Sequence, residues 1–186
     1  MVDGGEGGEI RVATPLSPEF RERASAGDRL LITGRLITAR DQAHRRLVEA
    51  LEKGERPPVE LGGEIIYYAG PSPAPPGKAA GSVGPTTSSR MDPYTPRLAA
   101  EGIAACIGKG PRSPEVKRAL AEHGVLYLVG IGGAAALLGS RVRALRLLAY
   151  EDLGPEAIYE LEVEDFPVLV AYDLKGGDVF ARLARL

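Results

Sequence analysis

Short apolar runs separated by proline- and glycine-rich breaks occupy most of this chain, and the period of each run assigns it to an element. Residues 9–14 (Glu-Ile-Arg-Val-Ala-Thr) read as a short edge strand, and residues 29–39, rich in Leu, Ile and Thr, as a second strand. From Asp41 the period changes: Ala43, Leu47, Val48 and Leu51 recur at helical spacing and Gly54 ends the helix. Residues 64–69 form a third strand, followed by Gly70-Pro-Ser-Pro-Ala-Pro-Pro-Gly77, an extended connector no helix tolerates. Residues 84–92 form a turn-rich, hydroxyl-dense loop, and Thr95-Pro96 opens a short helix. Residues 103–107 make a small-residue strand ending at Gly108-Lys109-Gly110. Ser113-Pro114-Glu115 starts the next helix, with Ser as N-cap and Pro at the first position, and Gly124 caps its far end. A buried strand at 125–129, a short helix at 134–138, β-rich stretches at 143–150 and 157–172, and a terminal helix from Asp178 complete the order.

Alternating strands and helices with a strand-rich end predict an α/β layered domain with a mixed sheet, and 186 residues fit a single domain spanning 1–186. The longest apolar run, 125–139, contains four glycines and falls short of a membrane span, so it reads as strand followed by helix. The acidic, glycine-rich start MVDGGEGGEI lacks the basic and apolar regions of a secretory leader, and one cysteine, Cys106, allows no internal disulfide. Both readings predict a cytoplasmic protein. A net charge of −2, with cations spread along the chain, argues against a nucleic-acid partner. The absence of Asn, a single Gln and 15 prolines suggest a thermophilic source.

Two glycine motifs imitate nucleotide sites. Gly102 to Gly110 has five residues between its first two glycines and Gly110 after Lys109, where a P-loop needs four residues and then a hydroxyl for Mg²⁺. Gly130-Ile-Gly132-Gly-Ala-Ala135 matches a dinucleotide fingerprint, with Glu151 near the distance expected for a ribose contact. Only about fifty residues remain after it, too few for the fold such a motif opens, and close packing of a helix on a strand is the preferred reading. Cys106, among Ala and Ile in mid-strand, reads as an inert core thiol, and a single cysteine cannot ligate an iron–sulfur cluster.

Three segments remain that gather cations and hydroxyls at strand ends: Thr38-Ala-Arg40-Asp41-Gln42-Ala43-His44-Arg45-Arg46, Gly84-Pro85-Thr86-Thr87-Ser88-Ser89-Arg90-Met91-Asp92 and Ile107-Gly108-Lys109-Gly110. Ligands of open α/β sheets sit at strand ends. The bland readings stay open at this point. Arg40 pairs with Asp41 or a surface carboxylate, Thr86 and Thr87 cap the turn after Pro85, Arg90 and Asp92 form a local ion pair, and Arg45 and Arg46 are a solvated helix face. His44 is either support for Arg40 or a satisfied, partly buried histidine.

TARDQAHRRL, GPTTSSRMD and IGKG, in this order and at these intervals, resemble the β subunit, or C-terminal domain, of class I iron–sulfur fumarases and L-tartrate dehydratases. The resemblance implies a swivelling β/β/α domain that closes over a [4Fe–4S] cluster held by three cysteines of a partner α subunit, one iron staying open for substrate. It implies a heteromer with two copies of each chain. By motif position Arg40, Arg90 and Lys109 match the cations that bind the dicarboxylate, and Thr86 the threonine assigned as catalytic base; Asp41, His44, Thr87 and Asp92 are the supporting candidates. The implied reaction is hydration of fumarate to (S)-malate, with L-tartrate or mesaconate-type substrates, or a non-catalytic dicarboxylate-binding module, as alternatives.

Overall fold

The structure, a computed structural model, describes residues 8–130 and 135–184. Seven strands, β1 (Ile10–Ala13), β2 (Arg29–Thr38), β3 (Ile65–Tyr67), β4 (Ala105–Gly108), β5 (Leu126–Gly130), β6 (Val142–Ala149) and β7 (Ile158–Tyr172), form one mixed sheet. Among the described residues six helices accompany them: α1 (Pro18–Arg23), α2 (Asp41–Glu52), α3 (Thr95–Ala99), α4 (Pro114–Glu122), α5 (Ala135–Ser140) and α6 (Val179–Leu183).

Strands β1 to β5 run parallel in sequence order, and β7 returns antiparallel against β5. The other edge of β7 pairs with β2, from Arg29↔Leu169 to Ile37↔Glu160, so the sheet closes on itself and β1 and β6 extend it at either side. Closure removes the exposed edges that an open sheet of these strands would carry. The pairing of β7 with β2 shifts register at Ile32/Gly34, near Asp165, which has a φ of 48°.

Alternation then sorts the side chains into two cores. Ile65, Tyr67, Ile107, Leu126 and Leu128 point into the closed sheet with Leu30, Ile32, Leu36 and Phe166. Ile66, Tyr68, Cys106 and Tyr127 point outward and are covered by Leu47 of α2, Leu98 of α3 and Val116 and Leu120 of α4. Strands buried on both faces explain why the middle of the chain reads as continuous apolar runs.

Most predicted elements are present with ends shifted by one to three residues. Three short pieces add to the reading: α1, and 3-10 turns at Ser88–Met91 and Glu151–Glu156. α4 has the predicted Ser113 cap, its hydroxyl accepting from Val116 N–H; His123 is the C-cap and Gly124 follows it at φ +66°. Of the dinucleotide-like motif, residues 131–134 lie outside the described residues, as do residues 1–7. At Gly130 a Cβ would stand 3.2 Å from Pro85 Cγ and 3.5 Å from Leu138 Cδ1, which fits close packing at that position. Among the described residues no helix is long and apolar enough to cross a membrane.

Candidate functional site: a cationic strand edge

Parallel pairing puts the C-terminal ends of β2, β3 and β4 on one edge, with Thr38 beside Tyr67 and Tyr67 beside Ile107. Arg40 and Lys109 each lie two residues beyond that level, on opposite sides of β3. The loop from Gly84 then lies across the end of β3. Pro85 bridges to Ala69, Thr86 N–H donates to the Tyr68 carbonyl at 2.7 Å, and Thr87 bridges to Lys109. Ser88 N–H donates to the Lys109 carbonyl at 3.0 Å, and Lys109 N–H to Ser88 Oγ at 2.9 Å. Gly108 makes this approach possible, since a Cβ there would collide with Ser88 and the Tyr68 ring. Backbone pairing alone therefore brings Thr86, Thr87, Arg90 and Lys109 to one edge.

Side chains complete the convergence. The Arg90 guanidinium reaches back across the edge, its Nη2 2.8 Å from Asp41 Oδ2, and Arg40 Nη2 is 4.0 Å from the same oxygen. Arg40 also lies 3.4 Å from Glu156 Oε1, while Glu156 Oε2 accepts from Gln42 N–H at 3.3 Å. Arg40 is mostly covered, with Gly70 leaving room for its Cδ, whereas Arg90 and Lys109 are exposed. Lys109 makes no ion pair, and the half-buried Thr86 hydroxyl no hydrogen bond, among the described residues. Larger clefts lie elsewhere, one of about 240 Å³ lined by Thr14, Arg35 and residues 62–65, another of about 280 Å³ lined by residues 71–74, Leu145 and Tyr159. Neither cleft is lined by Arg40, Arg90 or Lys109, so among the described residues the cations stand on an open edge.

Behind the edge lies a residue that sequence reasoning did not single out. Arg112 has a fully buried side chain, with Nε 2.7 Å from Asp92 Oδ1, Nη1 3.2 Å from the Tyr68 hydroxyl and Nη2 2.6 Å from Thr95 Oγ1. Its guanidinium carbon lies 5.3 Å from the Tyr68 ring centre and 5.1 Å from that of Tyr127. Asp92 also accepts from Ser113 N–H, and the Tyr127 hydroxyl donates within reach of both Ser88 Oγ and the Gly110 carbonyl. These bonds tie the 84–92 loop to the segment after β4. They overturn the reading of Arg90 and Asp92 as a local ion pair, because Asp92 is held by Arg112 and Arg90 reaches Asp41. Only the pairing of oppositely charged groups in the fold reveals Arg112; in sequence it sits in a polar turn, Pro111-Arg112-Ser113.

His44 is completely buried rather than partly so, its ring edge-on to Tyr68 at 5.2 Å. Its Nδ1 lies 2.9 Å from the Arg40 carbonyl, and since a carbonyl only accepts, that nitrogen carries the proton. Burial pushes its pKa down to about 4, against the opposing pull of that hydrogen bond, with Arg112 lowering it further. His44 is thus both satisfied and supportive of the corner that carries Arg40. Arg45 is exposed, as expected of a solvated face, but Arg46 grips Asp152 with two bonds of 2.8 and 2.6 Å and lies over the Tyr150 ring. Thr87 is the N-cap of the 3-10 turn without a side-chain cap bond, so the capping role predicted for it is absent.

The donor set does not fit an iron–sulfur cluster. Cys106 is buried and desolvation raises its thiol pKa, and no group of three or more His, Cys, Asp or Glu suited to a metal occurs among the described residues.

The family described as "Fumarase C-terminus" matches residues 5–183. The chain is 40% identical over 185 residues to the aerobic class I fumarate hydratase of Salmonella typhimurium, covering 96% of this chain and 32% of that protein. It is 44% identical over 157 residues to the aerobic enzyme of Escherichia coli strain K12, covering 83% and 29%. A putative L(+)-tartrate dehydratase subunit beta of Methanocaldococcus jannaschii is 36% identical over 165 residues, covering 86% of this chain and 85% of that subunit. The chain therefore spans about a third of the fumarate hydratases and most of the tartrate dehydratase subunit. A match that runs from the first described strand to the last helix leaves the assignment plain: this chain belongs to the fumarase C-terminal family.

Proposed function

We propose that the chain is the β subunit of a hydro-lyase that adds water reversibly to fumarate, giving (S)-malate. The observation that carries this reading is the convergence of Arg40, Thr86, Arg90 and Lys109 on one edge of the sheet, from three separate segments. A C4 dicarboxylate is a dianion, costly to take out of water unless both ends are paired. Guanidiniums bind carboxylates with paired hydrogen bonds, and an ammonium adds a point charge. In this reading Arg40, Arg90 and Lys109 grip the two carboxylates. Their charge also stabilises the negative charge that grows when the neighbouring carbon loses its proton.

Thr86 would receive that proton. A threonine hydroxyl is a weak base, so the role depends on neighbouring cations and on exclusion of water by a second wall. That wall would be a cysteine-bearing α subunit carrying the [4Fe–4S] cluster this chain cannot hold, in a complex with two copies of each chain. Thr87 and Asp92 would shape the loop and His44 the Arg40 corner. A buried, unpaired thiol suits the reducing cytoplasm.

A second reading comes from the similarity to the tartrate dehydratase subunit, which makes L-tartrate the alternative substrate. The test is turnover of fumarate, mesaconate and L-tartrate by the chain alone and by the chain reconstituted with its partner. Hydration of fumarate by the pair and none by the single chain supports the proposal. Turnover by the single chain contradicts it, and preference for L-tartrate selects the second reading.

A further inference from the structure

Asp41 begins α2, wedged between the two guanidiniums assigned to substrate. Both of its carboxylate oxygens are buried, yet among the described residues neither has a hydrogen bond of good geometry, although Arg90 Nη2 stands only 2.8 Å from Oδ2. The contact is one of charge without alignment. Arg40 Nε is likewise buried and unbonded. A buried carboxylate without aligned donors is poorly compensated for the water it has lost.

Glu156 provides the contrast. It contacts Arg40 but also accepts from the Gln42 backbone N–H, a fixed donor at the start of α2. Glu156 therefore has a reason to stay when a ligand arrives, and it orients Arg40. Asp41 has no such donor among the described residues. A substrate carboxylate could offer the same guanidiniums the paired, parallel bonds that Asp41 does not make.

We propose that Asp41 is an internal counter-ion that competes with substrate: it neutralises Arg40 and Arg90 in the empty site and yields Arg90 to an incoming carboxylate, which limits how tightly a dicarboxylate binds. This rests on the reading that Arg40 and Arg90 grip the dicarboxylate. Loss of order near the site would weaken binding, whereas removal of a competitor strengthens it, so the sign of the effect separates competition from support.

The experiment uses the chain reconstituted with its cysteine-bearing partner and succinate, an unreactive dianion, as the inhibitor. Asp41→Asn lowers the succinate Ki roughly 5- to 50-fold, in the range of one lost charge contact at a partly covered site. Asp41→Ser, also uncharged and compatible with a helix start, shifts it the same way. Asp41→Glu keeps the charge and does not tighten binding. An unchanged or raised Ki in both uncharged variants overturns the competition, as does tightening by Asp41→Glu. Arg90→Ala is measured alongside: if it leaves the succinate Ki unchanged, the underlying grip itself is wrong, whatever Asp41 does.

Discussion

Arg90 is half exposed and reaches across the edge to a carboxylate nearly fifty residues earlier in the chain, so its position is set by a charge contact and by the loop beneath it. If it grips substrate, Arg90→Ala leaves a dicarboxylate end unpaired in a closed site and costs about 2–4 kcal/mol of binding, read as a large rise in KM. A near-normal KM counts against the assignment. Thr86→Ala instead lowers kcat, by roughly 10²–10⁴-fold if the hydroxyl handles the proton, with a smaller change in KM. Unchanged turnover removes Thr86 from the chemistry. These residues were legible because they occur in unusual strings, GPTTSSRMD above all. Arg112 was not, because nothing in Pro111-Arg112-Ser113 says that its guanidinium is buried against two tyrosines. His44 makes a pH prediction at the same scale. Its folded pKa of about 4 lies below the ordinary 6.5, chiefly through burial, so the unfolded chain binds the proton first. Its contribution is full above about pH 6.5 and is lost as pH falls towards 4, on the order of 3 kcal/mol in total. Melting temperatures of the native chain and of His44→Gln should therefore diverge less at pH 4 than at pH 7.5.

At the scale of elements, the 84–92 loop is held by a residue without a side chain and by a buried ion pair. Gly108→Ala would drive a methyl into Ser88 and the Tyr68 ring, lifting the 3-10 turn that carries Arg90. Catalytic efficiency should drop more than tenfold while the helical circular dichroism stays native, since the helices pack on the sheet through other residues, Leu47, Leu98, Val116 and Leu120. Normal activity in this variant would show that the loop need not rest on β4. Replacing Arg112 by Ala leaves Asp92 without its buried partner, at about 3–5 kcal/mol, or roughly 10 °C in melting temperature. A change of under about 2 °C would show the pair to be dispensable. Helix starts show how local rules can be both available and overlooked. Ser17-Pro18-Glu19 has the same capping pattern as Ser113-Pro114-Glu115, and both serines accept from the N–H three residues on. The second was read as a helix because a clear apolar period follows it; α1 is only six residues long and buries Phe20 alone, too short for a period to show.

For the whole molecule, apolar runs at β3, β4 and β5 indicated strands, and the helices between them a layered domain with a mixed sheet. Closure of the sheet was not legible. It depends on β7 pairing with β2 more than a hundred residues away, with a register shift and a positive φ at Asp165 that no local pattern announces. The consequence for function is that the strand ends form a rim on which three loops carry their charges, and the clefts of about 240 and 280 Å³ among the described residues lie elsewhere. The most direct test is the structure of the chain reconstituted with its partner and (S)-malate. The account predicts the Arg40 and Arg90 guanidiniums and the Lys109 ammonium within about 3 Å of carboxylate oxygens of one malate. A malate bound with its carboxylates on other groups, and these three cations facing solvent, would contradict it.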